Sequence, residues 1–138
     1  MLSEEGRKEM SLIGNTIKQL DIKIGSVDSS PYCRSIDTAT RAFGRVEINP
    51  DLKHTVIANE ATMNRQAQAL QQLLSKIPTI LGTNDVLSAH TANLQEAAGI
   101  WPKPEGVAIV FKPDGNSFKY IATIRPVDWQ RLLSVAAQ

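Results

Sequence analysis

Cysteine, histidine and aromatic residues are scarce in this chain, and the shortages bound what it can do. The single cysteine, Cys33, cannot form an intrachain disulfide, so no oxidising compartment is needed. That cysteine and two histidines, His54 and His90, fall short of the four ligands of a structural zinc site. No apolar run approaches the ~20 residues that cross a bilayer. The opening stretch carries Glu4, Glu5 and Glu9 where a signal peptide has an apolar core. A formal net charge of +1 supplies no global field for nucleic acid, an anionic membrane or an acidic substrate. The P-loop, G-x-G-x-x-G, H-E-x-x-H and G-x-S-x-G patterns are all missing. The expectation is a cytoplasmic protein with no cofactor, no metal and no membrane association.

What is present is an ordinary globular composition. The chain has 138 residues, 42% hydrophobic and 21% charged, the size of one domain spanning residues 1–138. Ser3 caps a first helix whose apolar face is Met10, Ile13, Ile17 and Leu20, with Gly6 and Gly14 weakening it. Ile22 and Ile24 alternate as a short strand, and Asp28–Arg34 reads as a Ser-rich loop around Pro31. Ser35 caps a short helix that stops at Gly44. Residues 46–58 read as a hairpin, with Val46 and Ile48 opposite Val56 and Ala58 across an Asn49–Leu52 turn. The competing reading is a single helix starting at Pro50.

Asn59 opens the strongest helical pattern, with Met63, Ala67, Leu70, Leu74 and Ile77 on one face and Pro78 as its end. Thr83 to Ala98 reads as another helix, placing Leu87, His90, Leu94 and Ala97 on one stripe before Gly99. The chain closes with a hairpin turning at Pro113-Asp114-Gly115, covered on both faces for part of its length. A last helix follows, with Trp129, Leu132, Leu133 and Ala136 inward. The fold class expected is α+β: a single domain with a mainly antiparallel sheet, packed helices, and a C-terminal β-hairpin followed by a terminal helix.

No residue pattern compels a catalytic assignment. Cys33 beside Arg34 has the makings of an activated thiol, but needs a histidine placed by the fold; a plain loop cysteine is the simpler reading. His90 reads as a histidine half-buried at a helix contact, and His54 as a solvated one beside a turn. Asp21 and Lys23 have the acid-x-Lys spacing of a nuclease core without further convergent carboxylates. Lys112, Lys119, Arg125 and Tyr120 offer a small basic, aromatic platform on the hairpin, against an ordinary solvated sheet edge. From Asn59 to Ala98 there are only five charged residues, so the polar face is built from uncharged side chains, and such a face is cheaper to desolvate. Gln66, Gln68 and Gln72, with Trp101, are the interface candidates.

The leading expectation is therefore a non-catalytic interaction or assembly protein, an adaptor, chaperone or component of a larger particle, with a protein partner or self-association. Nucleic-acid binding through the C-terminal hairpin is the first alternative. A small enzyme using the 28–34 loop is the second, and convergent polar groups near Cys33 would favour it.

Overall fold

The computed structural model describes residues 2–53, 59–103 and 105–136. Helix α1 spans Glu4–Gln19, and Ser3 accepts a hydrogen bond from the Gly6 N–H at its start. Strand β1 is Ile24–Ser29, α2 is Cys33–Phe43 and β2 is Glu47–Ile48. A 3-10 turn at Pro50–Leu52 follows, then α3 at Glu60–Ser75, β3 at Asn84–Ser88 and α4 at Thr91–Ala98. The chain ends in β4 at Ala108–Pro113, β5 at Phe118–Ile124 and α5 at Asp128–Ala136.

The mixture of helix and strand is as expected, but the larger sheet is not antiparallel. Strands β2, β1 and β3 lie in that order, and β1 is parallel to both neighbours. Among the described residues only the β4–β5 pair is antiparallel. Glu47 and Ile48 pair in parallel with Asp28 and Ser29. The Asn49–Leu52 segment is a 3-10 turn in which Asn49 accepts from the Asp51 N–H, and the proposed partners Val56 and Ala58, like His54, lie outside the described residues.

Residues 84–88, expected as the first turns of a helix, form β3 instead. A parallel strand covered on both faces loses the alternation that marks a strand in sequence. Leu87 and Ala89 pack with the α3–α4 cluster of Leu52, Leu70 and Ala97. Ser88, one residue out of step, donates instead to the Ser35 carbonyl of α2. Helices thus lie on both faces of the sheet. Asp85, expected to complement a helix dipole, accepts from the Ser26 N–H where the β1–β3 register shifts. Its carboxylate there replaces a ladder partner.

The second core cluster is Met10, Ile13, Ile17 and Trp129, so the predicted α1 face is buried and α5 docks on it. The rest of the α5 stripe is less covered: Leu132 and Ala136 are exposed. Ile22 precedes β1 and is exposed, and Ile77 lies beyond the end of α3, also exposed. In the hairpin, Asp114 accepts from the Asn116 and Ser117 N–H groups, and Gly115 takes φ +98° at the tip. Gly115 N–H then donates to the Ser75 carbonyl, docking the tip on the end of α3. Ala108, Ile109, Val110 and Phe111 of β4 are all partly buried, so that strand has partial cover on both faces, whereas Ile121 of β5 is exposed.

The start of α5 has a marked pH signature. Asp128 accepts from Arg125 through its backbone N–H and its guanidinium, and Arg131 donates to the same carboxylate. The Arg125 side-chain hydrogen bond, reinforced by its backbone N–H, lowers the Asp128 pKa from 3.8 to about 2. A carboxylate depressed in the folded state stabilises it fully above its unfolded pKa, and that contribution fades as pH falls through the folded value. The stability gap between wild type and Asp128→Asn is therefore expected to be constant near neutrality and to close between pH 3.8 and about 2. Urea titrations of both proteins across that window check it.

Candidate functional site at the carboxyl edge of the parallel sheet

In an open parallel sheet, the chain leaves one strand to one side and a neighbouring strand to the other, which opens a crevice at their carboxyl ends. Here β1 leads through α2 to β2 on one side, while β3 lies on the other side and leads to α4. The carboxyl edge of the sheet is bordered by Ser30–Tyr32 after β1 and Ala89–His90 after β3. The Ser30 N–H donates to the Ser88 carbonyl and the Asn49 N–H to the Ser29 carbonyl, holding the three strand ends together.

Two side chains meet across this point. Ser30 Oγ lies 2.8 Å from His90 Nε2, linking residues sixty positions apart. Ser30 is completely buried, and its Oγ also accepts from the Tyr32 N–H at 3.3 Å. The Tyr32 ring stands edge-on to the His90 ring, with centroids 5.2 Å apart. Tyr32 is the N-cap of α2 and His90 the N-cap of α4, so two helix starts lie side by side.

Both starts lack what the other helices have. Neither Tyr32 nor His90 makes a side-chain capping hydrogen bond, and neither first turn contains an acid. By contrast α1 has Ser3 with Glu4 and Glu5, α3 has Asn59 with Glu60, and α5 has Asp128 in its first turn. Unpaired N–H groups and the positive end of a helix dipole favour an anion. Arg34, the second residue of α2, adds a guanidinium that is largely exposed and only 3.8 Å, at its nearest, from the still more exposed Glu105.

The sequence-derived candidates fall out unevenly. The Asp28–Arg34 segment is not a loop: it is the end of β1, a short connection, and the first turn of α2, which begins two residues before the expected cap Ser35. Cys33 is exposed at that first turn. His90 does not share a helical stripe with Leu87, since one caps α4 and the other lies in β3. Among the described residues no cluster of three or more His, Cys, Asp or Glu could hold a metal. Asp21 and Lys23 form an exposed ion pair at the amino end of β1, away from this edge.

Of the interface candidates, Gln68 and Gln72 are exposed on α3 and Trp101 is half exposed. Gln66 is turned inward, with a buried Oε1 that has no hydrogen-bond partner. On the hairpin, Lys112 and Lys119 are directly opposite each other, and Tyr120 hydrogen-bonds Thr123. Arg125 is held by Asp128, so part of that basic platform is already paired.

Ser30, Tyr32 and Asn93 were not singled out by the sequence. Asn93, in the first turn of α4, is buried, donates to the Lys53 carbonyl, and leaves its Oδ1 without a partner. Ser30 and Tyr32 lie in the 28–34 segment taken from the sequence as the enzyme alternative, where a Ser-Ser-Pro-Tyr run at the end of β1 precedes a helix.

No family model, curated protein or solved structure matches this chain.

Proposed function

We propose that the protein acts as a small enzyme on an anionic substrate, a phosphate ester being the best fit, bound at the carboxyl edge of β1 and β3. The observation that carries this reading is the juxtaposition of His90 and Ser30 beside two uncapped helix starts. Backbone N–H groups of α2 and α4 and the Arg34 guanidinium supply the donors for the anion. They outnumber what a single carboxylate takes up and suit the three peripheral oxygens of a phosphate group. His90, just past the end of β3, supplies an acid–base group there. Tyr32 forms an apolar wall beside it and is itself 41% exposed.

Titration with inorganic phosphate, followed by amide chemical shifts, tests the binding half. The residues expected to move are Cys33–Ser35 and Thr91–Ala92, the Asn93 N–H being already taken by the His90 carbonyl. Arg34→Ala should weaken binding roughly tenfold, the low end for a charge-assisted hydrogen bond of about 1.5–3 kcal/mol, given the exposure of the side chain. Phosphate monoester hydrolysis that disappears in His90→Asn tests the catalytic half. Amides at both helix starts that stay fixed at millimolar phosphate would remove the reading.

The second reading is an interaction or assembly protein, with a protein partner or self-association. Its support is a run of exposed apolar residues between α3 and β3: Ile77, Ile80 and Leu81, the last 95% exposed. Light scattering that shows a strict monomer, with no partner recovered by pull-down, would count against it. Nucleic-acid binding through Lys112 and Lys119 has less support, because Asp128 engages Arg125.

A further inference from the structure

The buried hydroxyl of Ser30 lies against one ring nitrogen of His90. A serine hydroxyl has one proton to give and can accept two hydrogen bonds. Ser30 Oγ accepts from the Tyr32 N–H. Its own proton, in a residue with no solvent exposure, needs an acceptor, since a buried polar hydrogen without one is costly. Among the described residues the acceptor within reach is His90 Nε2, at 2.8 Å. If Nε2 carried the proton instead, Ser30 Oγ would accept twice and its own hydrogen would have no acceptor among the described residues.

We propose that Ser30 is the positioning residue of the site: it fixes neutral His90 in the form protonated at Nδ1, with Nε2 as the acceptor of the Ser30 hydroxyl. The hydrogen bond made by one ring nitrogen sets the state of the other. It also restrains the ring plane, because β3 holds Ser30 through the Ser88 carbonyl and the Tyr32 ring packs against the imidazole in a T-shaped contact. The chemical use of this arrangement rests on the enzymatic reading above. There Ser30 holds the imidazole in one protonation form and orientation beside the helix starts, so that less reorganisation is needed as charge develops. Ser30 itself is too enclosed to attack a substrate, and its role is exercised through the ring.

Long-range proton–nitrogen correlation spectra of the nitrogen-15-labelled full chain, recorded where the ring is neutral, read the tautomer directly. The expected pattern is a protonated, pyrrole-type Nδ1 and an unprotonated, pyridine-type Nε2. Ser30→Ala should move the population toward the Nε2-protonated form, which a purely structural role for the hydroxyl would not do. A wild-type spectrum with Nε2 protonated overturns the proposal, and so does an unchanged pattern in a folded Ser30→Ala protein. If that variant does not fold, the wild-type spectrum alone decides. Phosphate added to the same sample separates the two ideas. The expected tautomer without shifts at Cys33–Ser35 sustains the role of Ser30 and removes the anion site; shifts with the opposite tautomer do the reverse.

Discussion

Gly14→Ala is expected to destabilise the protein by about 3 kcal/mol or more, the upper range for forcing an added group into a packed contact. On an isolated helix the same change would be stabilising by about 0.5–1 kcal/mol, because glycine carries the larger entropic cost. The sign reverses because of the α1–α2 crossing. A Cβ built on Gly14 runs into the carbonyl oxygen of Ala42 and lies 2.8 Å from its carbonyl carbon and 2.9 Å from its Cα. These are backbone atoms, so no side-chain rotation relieves the clash, and the helices must separate. Separation would also disturb Ala39 and Ala42, which are buried in α2, and the Arg7–Asp37 ion pair that ties the two helices together. Urea denaturation of Gly14→Ala beside Asn15→Ala makes the comparison. Asn15 is exposed on the next position, so its replacement should be neutral or mildly stabilising. Equal midpoints for the two variants would mean that α1 and α2 do not approach this closely.

Leu52→Ala is expected to cost about 2–5 kcal/mol, the range for truncating a fully buried leucine and leaving a cavity. Leu52 is 0% exposed although it sits in a single 3-10 turn with little secondary structure of its own. It joins Leu70 of α3 and Ala97 of α4, with Leu87 of β3 packed against them. Beside it, the Lys53 carbonyl accepts from Asn93 in the first turn of α4. Loosening this cluster should therefore also disturb the setting of His90. The measurement is a denaturation curve together with the His90 ring resonances. A midpoint unchanged from wild type would place Leu52 outside the core.

The helices α1, α3 and α5 were legible because each carries its own evidence. Ser3 and Asn59 are capping residues, the Met10, Ile13 and Ile17 spacing repeats as a helix does, and Trp129 marks the inner side of α5. The terminal hairpin was legible for the same reason, since Asp114 and Gly115 are local turn chemistry that needs no distant partner. Gly44 and Gly99 likewise announce helix ends, and both take the left-handed conformation.

The parallel sheet was decided by tertiary structure. Parallel strands are joined through intervening helices, so their pairing leaves no short-range mark, and cover on both faces removes the alternation by which strands are recognised. Val86 and Leu87 could belong to a helix or a strand until β1 supplies the hydrogen-bond ladder. The two-residue β2 is a strand only because Asp28 and Ser29 lie beside it. Gly14 likewise reads as a weak point in α1 until Ala42 is packed against it. The site follows the same logic. Ser30 and His90 are sixty residues apart and neither sits in a recognisable motif; parallel pairing of β1 with β3 brings their side chains within a hydrogen bond, because both immediately follow the carboxyl ends of adjacent strands.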